Sequence, residues 1–270
     1  MPFLTLKNND IDTFYLYNTM YKKYTDNSVK CKKTSFDIFK FIYRENQHNG
    51  RMSEEELEEK TKKYLKKVKT NIIDLAYNNK DFFDYFITLT FDSNNKKFFP
   101  NGYDHEVAIE LLKKWIDNQK HQNKNMTYIL VPEFHKSGNL HFHGLVGNVD
   151  TWVLIQAKNP NTGKEIIKNG SRIYNLSNYN LGFTTISKIK NSEAVTNYIS
   201  KYATKELITL KSKKRYWYSR NLLKPIIEYD YLDSSLSENF SSQEVTYSDI
   251  FSTENREIEL LNYHLPITED

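Results

Sequence analysis

Two histidines one residue apart, His141 and His143, are the residues of this chain best placed for chemistry. On a strand, side chains at i and i+2 point the same way, so both imidazoles share one face and Phe142 turns to the other. Upstream, Thr127-Tyr128-Ile129-Leu130-Val131 reads as a partner strand, and Lys136-Ser137-Gly138-Asn139 between them has turn composition. The stretch is therefore a hairpin with imidazoles on one arm. Its register decides what joins them. A two-residue loop at Ser137-Gly138 sets Glu133 opposite Phe142, on the wrong face. A three-residue loop, Ser137-Gly138-Asn139, sets Glu133 opposite His143 and His135 opposite His141. One carboxylate and two histidines with open positions suit a catalytic divalent metal, Mg²⁺ or Mn²⁺, better than a closed structural site. The metal set is then Glu133, His141 and His143, with His135 competing for the third place.

Two further stretches carry reactive side chains. Ser192 and Glu193 open a helix in which Tyr198, Lys201 and Tyr202 stand at i, i+3 and i+4 and so share one face. Lys211, Lys213, Lys214, Arg215, Tyr216, Trp217, Tyr218 and Arg220 then interleave bases with aromatics. That pattern suits phosphate contact plus base stacking: Lys213, Lys214, Arg215 and Arg220 on phosphates, with Trp217 or Tyr216 on a base.

The elements that must position these residues are legible in part. Ser53 followed by Glu54, Glu55 and Glu56 starts a helix that runs to about Asn78. Tyr85 to Phe91 is a strand with Thr88 and Thr90 on one face, and a helix follows from about His105 to Gln119. Gly182 to Ile189 is another strand. Residues 148–180 read as an Asn-rich insertion. Gly163-Lys164 lacks the other residues of a phosphate loop, so no helicase domain is expected.

Among 270 residues, 20 Tyr and 16 Phe supply a core, and a single cysteine, Cys31, excludes an internal disulfide. No apolar run reaches a membrane-helix length of about 20 residues and Met1-Pro2-Phe3-Leu4 begins no signal peptide, so a cytoplasmic protein with no membrane partner is expected. The charge is uneven: residues 228–270 hold eleven of the 34 Asp/Glu and one of the 38 Lys/Arg. A basic body suggests a polyanionic partner.

Phe86-Ile87-Thr88-Leu89-Thr90, the Glu133 to His143 stretch and Tyr198-Ile199-Ser200-Lys201-Tyr202 stand in the order of the motifs of the HUH endonucleases. These are the rolling-circle replication initiators of single-stranded DNA phages, viruses and small plasmids. The resemblance covers roughly residues 80–225, and Arg215 to Arg220 is similar to the phage and bacterial branch. It implies an α/β (α+β) fold: a central antiparallel sheet of about five strands, helices on one face, and the other face left for DNA. Around it are expected a mainly helical region over 1–79, the endonuclease domain over 80–227, and an acidic appendage over 228–270. The implied activity is nicking of single-stranded origin DNA by Tyr198, giving a 5′-phosphotyrosine and a free 3′-hydroxyl, followed by rejoining. Lys201 would steady the phenolate, and Tyr202 would carry a second strand transfer. Host helicase and polymerase in a bacterial cell are the implied partners. A plasmid relaxase, a single-strand transposase, or a DNA-binding module that has lost nicking are the alternatives.

Overall fold

The computed structural model describes residues 15–37, 53–92, 103–135, 137–191, 193–203, 215–230, 245–253 and 256–264. The chain divides into two compact units, one of residues 59–223 and one of residues 1–58 with 224–270.

The larger unit is built on a seven-stranded sheet. Its strands are β3 (Tyr85–Phe91), β4 (Thr127–Phe134), β5 (Leu140–Gly147), β6 (Leu154–Gln156), β9 (Tyr174–Leu176), β10 (Gly182–Lys188) and β11 (Trp217–Tyr218). Their order is β11-β4-β5-β3-β10-β9-β6, with every pairing antiparallel. Between β6 and β9 lies a small hairpin, β7 (Ile167–Lys168) and β8 (Ser171–Arg172). Its loop is Asn169-Gly170, both with positive φ (48° and 70°), the pair a two-residue hairpin turn requires. The stretch expected to be an insertion therefore widens the sheet beyond β10.

Three helices accompany the sheet among the described residues: α1 (Glu54–Asn78), α2 (His105–Gln122) and α3 (Glu193–Ala203). The start of α1 is a capping box. Ser53 N–H donates to Glu56 Oε2 at 2.8 Å, and Glu56 N–H donates to Ser53 Oγ at 3.2 Å. Asp104 caps α2 by accepting from Glu106 and Val107 N–H. At α3 the cap is Asn191, whose Oδ1 accepts from Ala194 N–H at 2.9 Å; Ser192, expected there, lies outside the described residues.

The sheet is covered on both faces. On one, Ile87, Leu89, Phe91, Leu130, Phe142 and Ile186 pack against Ala108, Leu112, Trp115 and Ile116 of α2. On the other, Ile129, Val131 and Leu145 pack against Val68, Ile72 and Leu75 of α1 and Val195 and Ile199 of α3. This corrects the expectation of helices on one face only. The period-two alternation puts His141 and His143 on the face of α1 and α3, so the histidines and the tyrosine helix meet on one side.

The smaller unit holds a five-stranded antiparallel sheet of β1 (Tyr15–Lys23), β2 (Ser28–Asp37), β12 (Ile226–Asp230), β13 (Val245–Thr253) and β14 (Arg256–His264). Their order is β12-β1-β2-β14-β13. Two expectations change here. The helical region expected over 1–79 is helical over Glu54–Asn78, but residues 15–37 form a hairpin. The acidic segment expected as an appendage supplies most of three strands: β12 pairs with β1, β14 with β2, and β13 with β14. Lys23 and Glu228 join across β1 and β12 at 2.7 Å.

Candidate active site

The β4–β5 hairpin presents the first functional group. Its pairing runs from Thr127↔Gly147 to Glu133↔His141 and Phe134↔Leu140, leaving residues 135–139 as the loop. Gly138 sits there at φ +85°, and His135 N–H donates to Asn139 O at 2.9 Å. The expected register, Glu133 opposite His143, is thus displaced by two residues. A shift of two preserves the face, so Glu133, His141 and His143 remain on one side. Glu133 stands directly opposite His141, with His143 on the diagonal, and its Oε2 lies 2.7 Å from His143 Nε2. Both side chains are largely shielded, 14% exposed for His143 and 27% for Glu133.

Strand β3 supports the same two rings from behind. Thr88 pairs with His143 and Thr90 with His141 across β3 and β5. Each threonine Oγ1 lies 3.0 Å from the Nδ1 of its histidine. At His141, an Nδ1–H donating to Thr90 turns the Nε2 lone pair away from β3, the arrangement a metal-binding imidazole needs; at His143 the 2.7 Å contact puts a proton between Nε2 and Glu133 Oε2, which a metal held by the pair would replace. Burial lowers the His141 pKa below the usual histidine value and His135 acts in the same sense, while Glu133 opposes them; the net direction favours the neutral ring.

The rings continue as a ladder. His135 stacks on His141 (5.1 Å between centroids), His141 lies parallel to His143 (6.5 Å), and Tyr202 of α3 stacks on His143 at 4.0 Å. Tyr198 follows at 5.0 Å from Tyr202 and rests on Phe86 at 4.2 Å. The two tyrosines differ in setting. Tyr198 donates its hydroxyl to Ile87 O at 3.3 Å. Burial pushes its phenol well above the usual tyrosine range, and Tyr202 adds to the shift while a hydrogen bond with Thr88 opposes it. Both rings are partly exposed, and Lys201 Nζ stands 5.8 Å from the Tyr202 ring centroid. The structure therefore sets Tyr202, rather than Tyr198, against the histidine pair, and Lys201 beside Tyr202.

The donor types for a divalent ion are all on this face: one carboxylate and two imidazoles with oriented Nε2 atoms. Among the described residues no three such side chains are already drawn together as a metal cluster. The set fits a Mg²⁺ or Mn²⁺ site in type, Glu133 and His143 in mutual contact and His141 next along the ladder.

The basic-aromatic run is less well placed. Lys213 and Lys214 lie outside the described residues. Trp217 is 4% exposed and packs edge-on against Phe142 at 5.3 Å, on the α2 side of the sheet. Its ring is core, which rules out the base stacking expected of it. Tyr216 is partly buried and stacks on Tyr218 at 5.5 Å. Arg215 is partly buried as well, while Arg220 is exposed just beyond the edge strand β11. Residues the sequence reading passed over are Thr88 and Thr90. Their shared face was legible, but their partners were not until the β3–β5 register was known.

Comparison with known families adds an independent finding. Residues 84–207 match the family model described as Replication-associated protein ORF2/G2P. That span holds β3, the histidine hairpin and the tyrosine helix. No curated protein and no solved structure matches the chain. The matched family is one of replication-associated proteins, and the mixed α+β architecture is consistent with that likeness. Among the described residues, no helix is long and apolar enough to cross a membrane.

Proposed function

We propose that the chain is a replication initiator that nicks and rejoins single-stranded DNA through a tyrosine, with a divalent metal held by Glu133, His141 and His143. The observation that carries the reading is the stacking of Tyr202 on His143, whose Nε2 meets Glu133 at 2.7 Å. A phenol, two imidazoles and a carboxylate on one sheet face are the parts of a phosphoryl-transfer site. A divalent ion held by Glu133, His141 and His143 would supply positive charge to offset that building on the phosphoryl oxygens.

The chain's own residues do the rest. Thr88 and Thr90 hold His143 and His141 in one tautomer. Tyr202, presented next to His143, attacks phosphorus in line: a bond forms between its phenolic oxygen and phosphorus, and the bond to the 3′-oxygen breaks. The tyrosine's proton leaves to solvent and the 3′-oxygen takes one up. The products are a 5′-phosphotyrosine and a free 3′-hydroxyl, and the reverse attack by a 3′-hydroxyl rejoins the strand. Lys201 is placed to offset negative charge on the Tyr202 oxygen. Tyr198 keeps its proton in this state, because burial and its bond to Ile87 O favour the neutral phenol. It is the second nucleophile once the first is occupied, which reverses the roles expected from the sequence. Duplex opening falls to a host helicase.

The test is capture of a covalent adduct. The protein is incubated with Mn²⁺ and a labelled pool of random-sequence single strands, then run under denaturing conditions. Wild type and Tyr198→Phe should retain label, and Tyr202→Phe should lose most of it. Full labelling by the double Phe variant removes the tyrosine mechanism. Binding with no adduct in wild type points to a DNA-binding module.

A further inference from the structure

We propose that Phe183 is a base-stacking platform for single-stranded DNA, set on the same sheet face as the candidate active site. The proposal rests on the reading of the chain as a protein that handles single-stranded DNA. Its geometry comes from one cross-strand row. Phe183 of β10 pairs with Thr90, Thr90 with His141, and His141 with Glu133. Directly paired residues share a face, so the ring stands on the side of the histidines. It lies two strand spacings from His141, about 10 Å.

The ring is 65% exposed, whereas other aromatics of this face among the described residues are engaged: Phe86 under Tyr198, Tyr202 on His143, Tyr216 on Tyr218. Its outward aim is fixed by its neighbour. Thr184 is buried, and its Oγ1 accepts from Leu176 N–H at 2.7 Å, pinning β10 to β9. Alternation then turns Phe183 out.

A base fits this ring better than a protein surface does. Among the described residues the ring stands at the end of a polar row of Thr90, His141 and Glu133, which is no contiguous apolar patch for a protein to cover. A nucleotide is flat and apolar at one end and anionic at the other. Its base can lie on Phe183 while the backbone crosses toward the histidines. A duplex keeps its bases stacked on one another and offers no such face, so the ring selects single strands. Trp217, the aromatic that the sequence pattern favoured for this role, is in the core and leaves it to Phe183.

The test is anisotropy of a fluorescein-labelled twenty-residue oligothymidine in EDTA, which keeps metal binding out of the readout. Phe183→Ala and Phe183→Leu should weaken binding about tenfold. Phe183→Trp should retain it. All three should melt as wild type does, since the ring is exposed. If wild type binds and Phe183→Ala or Phe183→Leu binds equally well, the stacking proposal is overturned while the DNA reading stands. If wild type neither binds the oligothymidine nor forms an adduct with the random pool, the proposed function falls and the platform with it.

Discussion

Replacing Thr88 with valine isolates the support behind the histidines. Valine keeps the β-branched shape that β3 packs, so no cavity opens and the strand propensity is unchanged. What disappears is one hydroxyl, 3.0 Å from His143 Nδ1 and hydrogen-bonded to Tyr198. Each of these two bonds is worth about 0.5–1.5 kcal/mol of stability. The effect on metal binding should be larger. An outer partner that orients a ligating imidazole is typically worth about 10–100-fold in affinity, about 1.4–2.7 kcal/mol. Mn²⁺ titration calorimetry should therefore show Thr88→Val binding at least tenfold more weakly than wild type, with the melting temperature lowered by only a few degrees. With Mg²⁺ bound, long-range ¹H–¹⁵N spectra of the imidazoles should show wild-type His143 protonated at Nδ1, and the variant with a population protonated at Nε2. Thr88→Ser restores the hydroxyl and should recover most of the affinity. Equal Mn²⁺ affinity and an unchanged tautomer in Thr88→Val would refute the orienting role.

Two other expectations follow from the packing. Trp217→Ala truncates a core side chain, 4% exposed, and should cost about 3–5 kcal/mol in urea unfolding; if stability is unchanged and only DNA affinity falls, Trp217 faces the nucleic acid after all. At alkaline pH, the raised pKa of Tyr198 means the folded state holds its proton when the unfolded state, near the ordinary value of about 10, has released it. The associated stability is present in full below about pH 10 and is lost as pH climbs above it. Tyr198→Phe should flatten that fall in melts taken between about pH 9 and 12, and an identical slope in both proteins would show that the Tyr198 phenol is not buried.

Much of the larger unit was readable because its signals are local. The capping box at Ser53 and Glu56 and the apolar spacing after it give α1 its true length. Alternation alone puts Glu133, His141 and His143 on one face, whatever the loop. The loop length was not readable, since His135 and Asn139 stay out of the ladder although their types allow pairing; the register is decided by how β5 meets β3 as well as β4. The position of Trp217 was hidden for a similar reason. Arg215-Tyr216-Trp217-Tyr218 reads as a surface run by composition, but a strand alternates, and its pairing with Leu130 turns Trp217 inward. The sheet of the smaller unit joins residues 15–37 to residues 226–264, so no window of sequence contains it. Asn169-Gly170 was a hairpin signal in plain view, passed over because its two strands are only two residues each.

The most direct measurement is the identity of the residue that becomes linked to DNA. Wild-type protein, Mn²⁺ and the random single-strand pool are allowed to react, the adduct is digested with nuclease and protease, and the modified peptide is sequenced by mass spectrometry. A nucleotide joined through its 5′-phosphate to Tyr202, with a minor population on Tyr198, is the predicted result. Cleaved DNA with no covalent peptide, or a modified residue outside α3, contradicts it.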